Sequence, residues 1–81
     1  MVRNIFPYSL RYALKALADE ECQKTITKLI EDDVICGIYT TELSKLENGN
    51  IVEKVIIDGN LCFRLSEFGK RLIRSLLEVV K

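Results

Sequence analysis

The sequence predicts a mainly α-helical fold with one two-stranded β-hairpin and a final helix after it. Apolar residues recur at helical spacing in four segments, and the period changes to two between residues 51 and 65. Ser66 stands where the last helical segment begins, as a capping residue does. With 81 residues, 48% apolar and 30% charged, the chain is expected to form one globular domain over residues 1–81.

The first two helices are predicted over residues 8–18 and 20–31. Pro7 is tolerated in the first turn of the first helix. The apolar stripe of that helix consists of Leu10, Ala13, Leu14 and Leu17. The second helix repeats apolar residues at i, i+4, i+7 and i+8, which form one helix face: Cys22, Ile26, Leu29 and Ile30. Glu20 and Glu21 fall in its first turn, where the helix dipole favours acids.

A third helix is predicted over roughly residues 34–47, with Asp32 or Asp33 as its cap. Its apolar stripe is Ile35, Tyr39, Leu43 and Leu46. Gly37 lies inside this stretch and weakens its first turn, since glycine is a poor helix former. The Asn-Gly-Asn sequence at residues 48–50 is expected to end the helix, because these residues accept a left-handed conformation.

The hairpin is predicted from strands 51–57 and 61–65, joined through the turn residues Asp58-Gly59-Asn60. Alternation along the second strand places one set of side chains toward the core: Leu61, Phe63 and Leu65. The opposite face of that strand carries Cys62 and Arg64. The last helix is predicted over residues 67–80, after the cap Ser66.

Three cysteines, Cys22, Cys36 and Cys62, occur without any histidine or CxxC pair, so no zinc site is expected. Their first interpretation is as small buried apolar side chains. A disulfide is the alternative. It is favoured if the chain is from a hyperthermophile, since Ile, Glu and Lys are abundant, only one Gln occurs, and intracellular proteins of such organisms can carry disulfides.

Residues 34–72 combine a helix with an apolar stripe, a strand start at 50–54 and a strand-to-helix junction at 63–69. In this combination they resemble winged helix-turn-helix transcription regulators of the MarR, PadR and HxlR type. Apolar residues keep the family's intervals along the recognition helix: Val34, Tyr39, Leu43 and Leu46. Residues 50–54, Asn-Ile-Val-Glu-Lys, stand where the family has a glycine, two apolar residues and a basic one. Residues 63–69, Phe-Arg-Leu-Ser-Glu-Phe-Gly, are similar to its strand-to-helix junction. Small winged-helix proteins of archaeal viruses and plasmids are a weaker similarity.

This resemblance implies a three-helix core, a wing and a long C-terminal helix, with the third helix in the major groove of double-stranded DNA. With its apolar stripe buried, that helix would present a polar face: Gly37, Thr40, Thr41, Ser44 and Lys45. Small hydroxylated side chains can reach phosphates and base edges, and glycine permits close backbone approach. A merely solvated helix face has the same composition and is the alternative interpretation.

The hairpin would form the wing, with Lys54, Asn60 and Arg64 as its DNA contacts. Asp58 at the tip repels phosphate, so residues 58–60 are also interpreted as an ordinary turn. Twelve basic and twelve acidic residues cancel, and residues 34–65 carry four acids and three bases. DNA-binding domains are usually basic. The rival hypothesis is therefore a winged-helix module that docks on another protein without binding DNA.

A homodimer is expected because the apolar arc of the last helix is wider than one small core can cover. The residues assigned to this interface are Phe6, Tyr8, Tyr12, Leu72, Ile73, Leu76, Leu77 and Val80. Two-fold pairing there would place two third helices about 34 Å apart, one turn of DNA.

No enzymatic activity is expected. The chain lacks histidine, a Gly-rich phosphate loop and a Cys–His pair, and Asp32–Asp33 is better interpreted as a cap than as a catalytic pair. No cofactor or metal is predicted. No signal peptide is expected from the first residues, and no apolar run approaches the roughly 20 residues of a membrane span. A cytoplasmic location without membrane association is therefore expected.

Overall fold

Residues 6–80 are described in the computed structural model of the chain, with side chains described from 10 to 76. The elements are α1 (Phe6–Leu17), α2 (Glu20–Asp32), β1 (Ile35–Cys36), α3 (Thr41–Asn48), β2 (Val52–Ile57), β3 (Asn60–Leu65) and α4 (Glu67–Val80). Over the described residues this is a mixed α/β fold with four helices and one antiparallel sheet of order β1-β3-β2. The sequence predicts only the β2–β3 pair of this sheet.

The core lies between α1, α2, α3 and one face of the sheet. Its fully buried large side chains include Phe63 from β3 and a set from the helices and the β2 approach: Cys22, Leu29, Leu43, Leu46 and Ile51. The predicted stripe of α2 is confirmed except for Ile30, which is 54% exposed.

The predicted stripe of α1 is confirmed for Ala13 and Leu17 and wrong for Leu10 and Leu14. Leu10 and Leu14 are exposed, and α1 contributes Ala13 and Ala16 to the core, with Leu17 packed at its margin. The physical reason is close helix packing. A β-carbon added at Gly49 would lie 2.8 Å from the Ala13 Cα, so the end of α3 touches the α1 backbone and leaves room there only for small side chains.

The predicted helix over 34–47 is also wrong in its first half. Asp33, expected as its cap, instead ends α2 with φ of 72° while its N–H donates to the Leu29 carbonyl. Ile35 and Cys36 then pair with β3 as β1, and Gly37 follows with φ of 76°, a conformation that interrupts any helix. Thr40 is the real cap, because its hydroxyl accepts the Leu43 N–H at 3.2 Å.

The hairpin pairs Val52 with Leu65 at one end and Ile57 with Asn60 at the other, so Asn60, predicted in the turn, is the first residue of β3. Phe63 is buried and Leu65 half-buried, but Leu61 is 41% exposed because β3 extends beyond the core at that end. Cys62, predicted with Arg64 on the face opposite the core, is fully buried and forms a disulfide with Cys36 of β1.

The junction into α4 is held by hydrogen bonds from Ser66 to the carbonyl groups of Ile51 and Asn50. The Ile51 carbonyl accepts the Ser66 N–H at 2.8 Å. The Ser66 hydroxyl donates to the Asn50 carbonyl at 2.5 Å and accepts the Gly69 N–H at 2.9 Å, which confirms its predicted capping role. Phe68, Leu72 and Ile73 of α4 then pack at the edge of the core.

Candidate nucleic-acid interface

One face of α3 packs against the core, and the opposite face is exposed. Leu43 and Leu46 are buried against the core, since α3 packs on both α1 and α2. On the opposite side Thr41, Lys45 and Asn48 are exposed at i, i+4 and i+7, which is one straight helix face. Ser44 is half-buried beside them. The structure therefore brings together three of the predicted DNA-contacting residues: Thr41, Ser44 and Lys45.

The other two residues predicted on this helix lie outside it. Thr40 is the N-cap, and its hydroxyl oxygen is used by the Leu43 N–H. Gly37 lies in the turn after β1, with open space around its Cα. Neither belongs to the exposed face of α3, because the helix begins only at Thr41.

Lys45 is held in an ion pair. Its amine lies 2.8 Å from the carboxylate of Asp19, the residue that caps α2 by accepting the N–H groups of Glu21 and Cys22. The Lys45 amine, followed by those two N–H groups, lowers the pKa of Asp19. The same pair raises the pKa of Lys45. Both groups are therefore charged at neutral pH.

Lys54 lies on the core-facing side of β2, away from the hairpin tip. Its amine is 3.4 Å from the Glu47 carboxylate of α3 and 5.8 Å from the centre of the Tyr39 ring. That ring stacks on Phe63 with 5.4 Å between centroids. Lys54 thus joins α3 to the hairpin.

Arg64 lies on the opposite face of the hairpin and pairs across the strands with Glu53, at 2.8 Å. Asn60 is exposed at the tip, opposite Ile57. Along β3, Asn60 and Arg64 share one face but are four residues apart, and Lys54 lies on the other face of the hairpin. The three predicted wing contacts do not form one patch.

The charge of this region is balanced rather than positive. Residues 41–65 carry four acids, Glu42, Glu47, Glu53 and Asp58, against three bases, Lys45, Lys54 and Arg64. Each of those three bases has a carboxylate partner within 3.4 Å. A positive ridge from the third helix to the wing, as a strong DNA binder would need, is not formed by these residues.

A groove between α1 and α3 adds residues that the sequence prediction missed. It encloses about 420 Å³ and is lined by Tyr12, Lys15, Ala16, Asp19, Lys45 and Asn48. Lys15 brings a second amine to the side of α3. Asp19 had a sequence signal, since it directly precedes two acids at a helix start, but its contact with Lys45 is 26 residues away and has no local signal.

The strand ends beside the hairpin turn carry exposed apolar side chains where a DNA-binding wing would carry cations. Ile56 is 69% exposed, Ile57 42% and Leu61 41%. Ile56 and Leu61 are cross-strand partners and share one face. Ile56 and Leu61 are called the tip cluster below, and they form the most exposed apolar surface of the described hairpin.

Among the predicted dimer residues whose side chains are described, two are exposed and two are half-buried. Tyr12 is 49% exposed and Leu76 40%, while Leu72 and Ile73 are half-buried at the edge of the core. The side chains of Phe6, Tyr8, Leu77 and Val80 lie outside the described residues. Described α4 therefore has an apolar face that continues past the core at Leu76.

The described part of the chain contains no cluster of three or more residues that could hold a metal ion. Within residues 6–80, no helix has both the length and the apolar character needed to cross a bilayer. Cys22 is the free cysteine, and burial raises the pKa of its thiol.

Comparison with known protein families, curated proteins and solved structures finds no match to this chain. What the chain does must therefore follow from its own residues and their geometry.

Proposed function

We propose that the chain is a sequence-specific, double-stranded DNA-binding transcription regulator that acts as a homodimer. The observation that carries this proposal is the exposed polar face of α3, Thr41, Lys45 and Asn48, on a helix fixed by buried Leu43 and Leu46. Hydroxyl, ammonium and amide groups on one helix face match the donors and acceptors at base edges and phosphates. The hairpin that follows α3 agrees with the winged-helix resemblance of the sequence.

The length of α3 is suited to one crossing of the DNA major groove. Eight residues rise about 12 Å, comparable to the width of the major groove. Asn48 at the end of the exposed face has the amide that pairs with adenine, and Thr41 at the start has a methyl group that can contact thymine. Lys15 of α1, which lines the protein groove between α1 and α3, would contact the phosphate backbone of the DNA.

The ion pair with Asp19 reduces the positive charge that Lys45 presents to DNA. Exposed ion pairs contribute little to stability and are screened by salt, so Lys45 can exchange Asp19 for a phosphate. The Asp19 carboxylate would then remain near the DNA and repel it. Binding is therefore expected to be moderate, with few phosphates neutralised and a shallow dependence on salt.

The homodimer and the cytoplasmic location belong to the same proposal. The exposed Leu76 on α4 supports pairing of two α4 helices, which would present two α3 helices to one face of DNA. A disulfide such as Cys36–Cys62 persists in cytoplasm chiefly in hyperthermophiles, which agrees with the similarity to archaeal viral and plasmid proteins.

The decisive test is a gel-shift titration against the promoter of the chain's own gene at about 50 and about 200 mM salt. Thr41→Glu places a carboxylate on the exposed face of α3 and should weaken binding at least about tenfold while leaving the fold intact. The control is Thr27→Glu, which adds the same charge at an exposed position of α2. If Thr41→Glu binds as the parent does, α3 is not the contact surface.

A second candidate function, protein docking without DNA, is favoured by the tip cluster. Exposed apolar side chains at a hairpin end mark protein contacts more often than nucleic-acid contacts. Ile56→Lys separates the two candidates. A cation at the tip should strengthen DNA binding if the hairpin is a wing, and should abolish association with a protein partner if the tip cluster is the docking surface.

A further inference from the structure

A second groove, which shares no lining residue with the groove between α1 and α3, lies between α2, β3 and α4. Two adjoining hollows of about 410 and 250 Å³ form it, and they share three lining residues, Ile30, Leu65 and Lys70. This continuous depression is called the α4 groove below. It follows the first turns of α4 from Lys70 to Arg74.

The floor of the α4 groove is apolar. Ile30 is 54% exposed although it belongs to the apolar stripe of α2, and Leu65 and Ile73 are half-buried beside it. These side chains touch the core on one side and are open on the other. Covering them would remove apolar surface from water, which favours association.

The rim of the α4 groove is positive. Lys70 and Arg74 stand at i and i+4 on α4, one turn apart on the same face, and Arg64 stands at the β3 end. Asp33 is the one carboxylate among the described lining residues. Arg64 is paired with Glu53, so the charge of the groove itself comes from Lys70 and Arg74 against Asp33 and is plus one.

We propose that the α4 groove binds an acidic amphipathic helix of a protein partner. The apolar floor favours an occupant with apolar side chains, which DNA does not offer, and an amphipathic helix lays such side chains into a groove at i, i+3 and i+4. Lys70 and Arg74 require acids along the flank of that occupant. The groove shares no residue with the exposed face of α3, but its Ile73 is also assigned to the proposed dimer interface. The partner helix is therefore expected to compete with pairing of two α4 helices and not with the direct contact of α3 with DNA.

A designed probe tests this assignment directly. The probe is a fluorescein-labelled 16-residue helical peptide with leucine at i, i+4, i+7 and i+11 and glutamate at the flanking positions. Its control replaces every glutamate with lysine. Fluorescence anisotropy should detect binding of the glutamate peptide and much weaker binding of the lysine peptide, and added salt should reduce the difference.

Variants locate the contact. The double variant Lys70→Glu with Arg74→Glu should weaken glutamate-peptide binding by about tenfold or more and favour the lysine peptide. Ile30→Ser should weaken both peptides, whereas Lys24→Glu, at an exposed position of α2 that does not line the groove, should change neither. Thermal melts would confirm that each variant folds.

Methyl chemical shifts of the parent protein give a second readout that does not depend on any variant. Titration with the glutamate peptide should shift the resonances of Ile30, Leu65 and Ile73. Shifts at Ile56 and Leu61 instead would move the contact to the tip cluster and overturn the proposal. Equal binding of both peptides would also overturn it, as would loss of duplex DNA binding in the Lys70 and Arg74 variant without any change in peptide binding.

Discussion

The amine of Lys45 and the carboxylate of Asp19 lie 2.8 Å apart, and Asp19 also caps α2, so one side chain connects α3 to the start of α2. Asp19→Asn keeps a good capping residue and removes the negative charge beside Lys45. DNA binding should therefore become tighter, by about threefold to tenfold, with a steeper salt dependence. Gel-shift titration measures both quantities. Unchanged affinity would mean that Lys45 does not approach a phosphate.

The same pair makes stability depend on pH at both extremes. Because the pKa of Asp19 is below its ordinary value of 3.8, its stabilising effect is present above that pH and lost as the pH falls through the folded-state value. The pKa of Lys45 is above 10.5, so its effect is lost only as the pH rises through the folded-state value. Melting temperatures of the parent should fall more steeply than those of Asp19→Asn below about pH 4. Parallel curves would contradict this.

Gly69→Ala should lower the free energy of unfolding by about 3 kcal/mol. Alanine normally favours a helix over glycine, but a β-carbon at residue 69 would lie 2.2 Å from the Ile51 carbonyl oxygen. A loss of stability would therefore show that the steric clash with the Ile51 carbonyl outweighs the higher helix propensity of alanine. The comparison is Gly37→Ala, which has open space but a φ of 76°, and should cost only about 1–2 kcal/mol. Urea denaturation of both variants gives the measurement.

Leu76→Glu should dissociate the proposed homodimer, because it puts a carboxylate into the apolar face of α4. Sedimentation equilibrium at high micromolar concentration should give a dimer for the parent and a monomer for this variant. Ser75→Glu adds the same charge at the neighbouring exposed position and should remain dimeric. A monomeric parent would remove the dimer from the proposed function.

Thiol titration should find no reactive cysteine in the oxidised native protein. Cys36 and Cys62 are joined, and Cys22 is fully buried with its thiol pKa raised by desolvation. Denaturant should expose one thiol per chain. Reduction should expose Cys36 in the native fold and lower the free energy of unfolding by about 3 kcal/mol. One thiol reacting before reduction or denaturation would show that Cys22 is accessible.

Local patterns predicted the elements whose periodicity is unbroken. The second helix, the hairpin turn and the Ser66 cap follow from spacing and capping chemistry that act within a few residues. The third helix failed because Ile35, Tyr39 and Leu43 keep a helical interval by coincidence. The strand signal of β-branched Val34 and Ile35, the left-handed Gly37 and the cap Thr40 all act against a helix before residue 41.

The candidate site was less predictable because its electrostatics are long-range. Thr41 and Lys45 could be placed on one face from their spacing alone. The partners that restrain the predicted cations could not, since Asp19 meets Lys45 only after α1, α2 and α3 have packed. The exposed Ile30 has the same cause: a stripe predicts which side chains could be buried, but only packing decides which of them are.

The position of β3 in the middle of the sheet has a consequence for the order of folding. β2 and β3 are joined by a short turn and can pair at once, whereas β1 pairs with β3 across 26 residues of chain. β1 has no pairing surface until the hairpin exists. The Cys36–Cys62 bond is therefore expected to form late in folding, after the three strands have paired.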